Sequence, residues 1–280
     1  MVETMDSSRL GHAVNREFLV KGTRSKAMYS SIQGDDLGLI VHNLAAAPAG
    51  HPNNDTRINW NKLYWTRRQF GVRCPEWGPC TSTIPTFITN ATVRVQDLLE
   101  VARTVHGGRY PHFIANLDNV GSLNTGVAMV RCSPEGLRLI NYALEQRGTT
   151  GNVRVDQFEH NGAIWWAYDN LEWVRNITAI IPAKLVNAYP YRPTSTVMEP
   201  CPTPEICNQG HWSPGDWLIH FAGYNKEAVP DFLSKFPPST WVGYDADLTI
   251  THRHRHQHLL RHRRVLQQQL QGGGDRRRRL

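Results

Sequence analysis

The side chains best suited to chemistry lie between residues 113 and 157. Asp118 closes one apolar run, and Asn124, Thr125 and Gly126 open the next. Asp156 and Gln157 follow about one helix later. Apolar runs that end in small polar residues, separated by a crossover, place those residues at strand ends, where open α/β sheets bind ligands. Gly126 would allow close approach to the backbone. A later run, Gly215-Asp216-Trp217-Leu218-Ile219-His220-Phe221, is a strand ending in a histidine. A neutral imidazole there is either a metal ligand or simply the last residue of a strand. Asp156 is likewise open to two readings, a reacting carboxylate or the N-cap of a helix.

The flanking pattern alternates strands and helices. Strands are expected at 37–41, 86–90, 110–115, 127–130, 178–182 and 215–220. A short helix with an aromatic face spans 60–68, and its aromatics read as core. Leu98, Val101, Ala102 and Val105 set a helix over 95–105 that Gly107 and Gly108 stop. Ser133 caps a helix that starts at Pro134, carries Leu137, Ile140 and Leu144 on one face, and ends at Gly148. Val229, Phe232, Leu233 and Phe236 mark a last amphipathic helix. Residues 163–173 are rich in aromatics but show no period. Residues 74–85 hold three prolines and read as a loop that cannot be a central strand. The pattern as a whole predicts an α/β fold with a largely parallel sheet.

Composition fixes what surrounds this domain. With 280 residues, 40% hydrophobic content and nine Trp, the chain can bury a full core. The net charge of +7 belongs to the C-terminus: residues 251–280 hold nine Arg and one Asp, leaving 22 basic and 23 acidic side chains elsewhere. The body is near neutral, which argues against a nucleic-acid partner. The tail, rich in His, Arg and Gln, reads as disordered, either a non-functional extension or a patch that makes this a nucleic-acid-associated protein, and residues 1–20 as a disordered or partial N-terminus. The domain is therefore expected over 21–250. No run is long and apolar enough to cross a membrane, and no signal peptide is visible at the start. Cys74 with Cys80, and Cys201 with Cys207, could form disulfides or remain thiols. Asn54, Asn90 and Asn176 head glycosylation triplets.

Several of these stretches occur together in one known order. Lys26-x-x-Tyr29, Trp60-x-Lys62, Thr86-x-Ile88-Thr89-Asn90 with Leu98-Leu99, Asp118 to Arg131, Asp156-Gln157, Val186-Asn187-Ala188-Tyr189-Pro190 and Gly215 to Gly223 follow one another. Together they resemble the galactosyl/mannosyl/xylosyltransferase family of the yeast Golgi and plant xyloglucan enzymes, over roughly residues 20–235. The resemblance implies a single GT-A-like, Rossmann-like domain with a mostly parallel mixed sheet. It further implies transfer, with retention, of a hexose or pentose from a UDP- or GDP-sugar to a glycan or glycoprotein acceptor in the Golgi. Mn²⁺ would be the cofactor, with His220 as a metal ligand and Asp156 and Gln157 beside the anomeric carbon. Asp118, Asn124, Gly126, Gly223, Lys226 and Lys62 would line the substrate, with Lys226 and Lys62 open to the alternative of solvated lysines. One departure stands out. The family's Asp-x-Asp metal motif should precede Thr86, where this chain has Thr83-Ile84-Pro85. The apolar strand that carries the motif is not evident either. Asp245-Ala246-Asp247 comes too late in the order to replace it. The expectation is a transferase impaired by that loss, with a non-catalytic nucleotide-sugar or glycan binder as the alternative.

Overall fold

The computed structural model describes residues 2–5, 13–34, 40–43, 60–72, 77–83, 86–118, 121–147, 153–194, 197–221 and 228–242; for 2–5, 13–19, 40–43, 61, 71–72, 77–83 and 153–159 it describes the backbone alone. The chain runs β1 (Val2–Met5), α1 (Ala13–Gln33), β2 (Ile40–Asn43), α2 (Asn61–Val72), β3 (Trp77–Thr83), β4 (Thr86–Ile88) and α3 (Val95–Val105). It continues through β5 (Phe113–Leu117), β6 (Leu123–Arg131), α4 (Pro134–Glu145), α5 (Val153–Asn170), α6 (Glu172–Ile177) and β7 (Thr178–Ile180). Last come α7 (Ala183–Val186), α8 (Pro204–Cys207), β8 (Leu218–His220) and α9 (Val229–Ser234). The main sheet has the order β2-β1-β3-β6-β5-β7, and β4 pairs with β8 in a second, two-stranded sheet. Only β6 runs against its neighbours in the main sheet. This is the mostly parallel mixed sheet expected from the sequence.

Side chains alternate across β6 and bury both faces of the sheet. Ala128 and Val130 join Leu139, Ile140, Ala143, Ala163, Ile164 and Trp60 on one side. Val127 and Met129 join Tyr29, Leu98, Ala102 and Trp217 on the other. A third cluster, including Phe87, Ile219, Trp212 and Phe232, underlies the small sheet. Helix α3 has the expected limits. Ser133 caps α4 by accepting from the Gly136 amide at 3.1 Å. On α4 it is Leu139 and Ala143 that join Ile140 and Leu144 inside, while Leu137 stays half-buried.

Three expectations need revision. Residues 1–20 contain β1 and the first turns of α1, so the sheet begins earlier than the composition suggested. The aromatic stretch 163–173 is the end of one long helix, α5, followed by α6. Ala163, Ile164 and Ala167 are buried while Trp165, Trp166 and Tyr168 are half-buried, so apolar residues surround the helix and erase its period. The third revision concerns 77–83, which is a central strand despite its prolines. Against β6, its register passes from Trp77↔Arg131 to Cys80↔Met129, three steps on β3 for two on β6. Gly78 and Pro79 fall in that bulge, where a missing N–H breaks no ladder bond.

A disulfide joins Cys201 to Cys207, and Cys132 is also disulfide-bonded. Cys74 and Cys80 lie outside the described side chains, as do Gly223, Lys226 and everything after residue 242. No helix among the described residues is long and apolar enough to cross a membrane.

Strand β4 would expose an unpaired edge, and α1 covers it. The buried Ser25 hydroxyl accepts from the Ile88 amide at 2.8 Å and donates to the Ile88 carbonyl at 3.0 Å, replacing a strand partner. The Tyr29 hydroxyl donates to the Val93 carbonyl at 2.6 Å. Ser25→Ala is expected to strand the Ile88 amide and lower stability by about 1–3 kcal/mol, measured by urea denaturation.

Candidate functional site

The site forms where β6 leaves its partners. The register with β3 stops at Val127, and the register with β5 passes from Ile114↔Met129 to Asn116↔Asn124. Thr125 therefore has no strand partner among the described residues, yet it is only 2% exposed. Buried backbone groups must still be satisfied, and side chains from three elements do it. Asn161 of α5 accepts from the Thr125 amide at 2.8 Å and donates to the Leu123 carbonyl at 3.0 Å. Asn124 accepts from the Gly126 amide at 2.7 Å. The Lys62 ammonium of α2 donates to the Thr125 carbonyl and, at 3.5 Å, to the Gly126 carbonyl. Lys62 is 2% exposed, which removes the reading of a solvated lysine.

His220 packs into this opening. A methyl group added at Gly126 would stand 2.2 Å from His220 Cε1 and 2.8 Å from Asn124 Oδ1. Glycine is thus required because the ring lies on its backbone. Pairing of β8 with β4 sets Thr86 opposite His220.

Three amides orient the imidazole. Asn187, just after α7, donates the two hydrogens of Nδ2 to Asn116 Oδ1 and Asn124 Oδ1, each at 3.0 Å, with the Tyr189 hydroxyl oxygen 2.9 Å from the same nitrogen. Asn116 and Asn124 are themselves fixed by backbone groups, because Asn116 Nδ2 donates to the Leu117 carbonyl and Asn124 Oδ1 accepts from the Gly126 amide. Asn187 must then turn Oδ1 toward His220 Nδ1, 2.5 Å away. That nitrogen carries the proton, which leaves the lone pair on Nε2. The ring is neutral: burial first, then the nearby charges of Lys62 and Lys26, push His220 down to about 3. His160 of α5 is also pushed down to about 3, by burial and then by Lys62.

The remaining expected site residues fall as follows. Asp118 opens the β5–β6 turn, where its carboxylate accepts from the Ser122 amide at 2.8 Å. Asp156 and Gln157 lie in the first turns of α5, about one helical turn before Asn161, but their side chains are outside the described residues. Gly223 and Lys226 are outside them altogether. Asp216, in the same run as His220, accepts from the Ser213 amide and from Lys184, each at 2.8 Å, and shapes the approach to β8. Asn116, His160 and Asn161 were missed as site residues. The only hint at Asn161 was an asparagine inside a helix, where its side chain usually competes with the backbone.

The expected Mn²⁺ site does not fit the described donors. Among the described residues no group of three His, Cys, Asp or Glu side chains converges. Residues 77–96 contain no carboxylate at all. One imidazole alone is a poor ligand set for Mn²⁺, which prefers oxygen donors.

With this geometry in hand, comparison with known proteins is decisive. Residues 85–229 match the model of the galactosyl transferase GMA12/MNN10 family. The chain belongs to that family. It is a glycosyltransferase by membership. No curated protein matches the sequence. Among solved structures, a glycosyltransferase involved in glycosylation of the major capsid of PBCV-1 superposes with a TM-score of 0.53 at 10% identity, covering 84% of this chain and 98% of that one. It shares the fold. An active-site mutant of LgtC, at 12% identity over 87% of this chain and 99% of that one, reaches a TM-score of 0.37, too low to support an argument.

Two outcomes test the site of this glycosyltransferase. Gly126→Ala is expected to displace the pinned His220 ring and cost about 1–3 kcal/mol, read by urea denaturation and by the ring's NMR signals. His160 and His220 are each lowered from 6.5 to about 3, so the unfolded chain binds protons that the folded chain does not. Their contribution to stability is full above about pH 6.5 and is lost as pH falls toward 3. Urea midpoints should therefore drop steadily between these limits. His160→Gln should reduce the slope of that fall.

Proposed function

We propose that this chain binds a UDP- or GDP-sugar in the opening around Gly126 and His220 and transfers the sugar, a hexose or pentose, to a glycan or glycoprotein acceptor with retention. The observation carrying this reading is the convergence of Gly126 and His220, both inside the family-matched segment, on an opening framed by fixed amides. Such dipoles, set before the ligand arrives, stabilise charge that develops as a glycosidic bond breaks. Asn161 binds α5 to β6, so the helix bearing Asp156 and Gln157 is held against the same opening.

A secretory, Golgi-type setting accompanies the proposal. The Cys201–Cys207 disulfide suits an oxidising compartment, and Asn176, heading one of the glycosylation triplets, is exposed on α6. A second reading is a binder that retains the nucleotide-sugar site without turnover; it is favoured by the absence of carboxylates from residues 77–96.

Calorimetric titration with a panel of UDP- and GDP-sugars tests the binding, and release of nucleoside diphosphate with NMR of the product anomer tests the transfer. His220→Ala is expected to weaken binding by about tenfold or more, while Arg175→Ala on α6 leaves it unchanged. Equal binding by all three proteins would contradict the site. Binding without release of diphosphate would favour the second reading.

A further inference from the structure

We propose that Asn176 carries an N-linked oligosaccharide, attached to the chain before α6 and β7 form. The inference rests on the secretory setting of the proposed function and not on the nucleotide-sugar reading. Asn176, Ile177 and Thr178 stand in the order the transfer requires, an amide followed two residues later by a hydroxyl. Asn176 is exposed near the end of α6, where Glu172 and Arg175 are exposed as well. A bulky, solvated group leaving from there displaces no core side chain. Thr178 pairs with Phe113 at the start of β5, and the two strands run parallel. Asn116, at the opening, lies three residues further along β5, about 10 Å away. The glycan would therefore leave the sheet at the end remote from Gly126 and His220.

The rest of the triplet is closed to an enzyme once the chain has folded. Ile177 and Thr178 are 9% and 6% exposed, and the Thr178 hydroxyl donates to the Val174 carbonyl at 2.7 Å. The acceptor is therefore the unfolded chain. In that step Nδ2 of Asn176 bonds to C1 of the first N-acetylglucosamine of a polyprenyl diphosphate-linked oligosaccharide. The bond from C1 to the diphosphate oxygen breaks, the lipid diphosphate leaves with the electron pair, and one Nδ2 proton passes to a base of the transferring enzyme. Asn90 heads a similar triplet but serves the fold as an unmodified amide. Its Nδ2 donates to the Gly215 carbonyl at 2.7 Å, and its Oδ1 accepts from the Thr92 amide at 2.9 Å and the Thr92 hydroxyl at 2.6 Å. These bonds fasten the exit of β4 to the approach of β8, and a sugar on that nitrogen would crowd the contact. The fold thus favours Asn176 over Asn90, while Asn54 lies outside the described residues.

The test is secretion of the full chain from a eukaryotic host behind a cleavable leader, with site-resolved mass spectrometry before and after enzymatic removal of N-glycans. The leader supplies entry to the lumen, so a failure here counts against Asn176 alone and leaves the secretory setting and the nucleotide-sugar reading untouched. Asn176 is expected to carry a glycan and Asn90 to be bare. Asn176→Gln should lose that glycan, whereas Thr178→Ser, which keeps the hydroxyl, should retain it. Folded, unglycosylated chain incubated with microsomal transferase and its lipid-linked donor should stay unmodified. A bare Asn176 in the secreted chain overturns the inference, as does a glycan on Asn90 in its place. Modification of the already folded chain at Asn176 would overturn the order of attachment and folding.

Discussion

The structure depends on how the backbone of β6 is satisfied around Thr125 and Gly126. Thr125 is buried with no strand partner among the described residues, and a backbone group left unpaired there would cost about 1–3 kcal/mol. Lys62, Asn124 and Asn161 supply the missing partners. Because these side chains come from α2, β6 and α5, the local repair also fixes two helices against the sheet. An ordinary ladder would have closed this space. The break in pairing creates room for an imidazole, and the side chains make that room affordable in a folded core.

The second layer of order is electrostatic. Asn116, Asn124 and Asn187 form a chain of amides whose direction is set by a backbone carbonyl at one branch and a backbone amide at the other. Only one orientation of Asn187 agrees with both, and it selects one tautomer of His220. Buried polar networks of this kind are costly when incomplete and specifying when complete. Here the network specifies which nitrogen of a histidine carries the proton, a detail that packing alone would leave open.

Much of the architecture was legible in the sequence because local rules and tertiary needs agreed. The α3 period placed Leu98 and Ala102 in the core, although Val105 is exposed, and Ser133-Pro134 set the start of α4. Gly126 was correctly singled out for close approach, though by a side chain of the same protein. Legibility failed where tertiary context overrode a local rule. Pro79 argued against a strand until the bulge in β3 removed the objection. The period of α5 vanished because apolar residues surround it. Asn161 could not be found from spacing, because its role depends on a gap in a strand 36 residues earlier. Lys62, read from the sequence as a substrate-side lysine or a solvated one, is buried and braces the β6 backbone.

Residues 77–96 hold no carboxylate, and Thr86 of β4 stands opposite His220. What the site presents is a neutral, oriented imidazole over a glycine. The most direct measurement is a crystal structure of the full chain with UDP. The account predicts the diphosphate against Gly126 and His220. Diphosphate density at another surface, with the opening around Gly126 unchanged and empty, would contradict it.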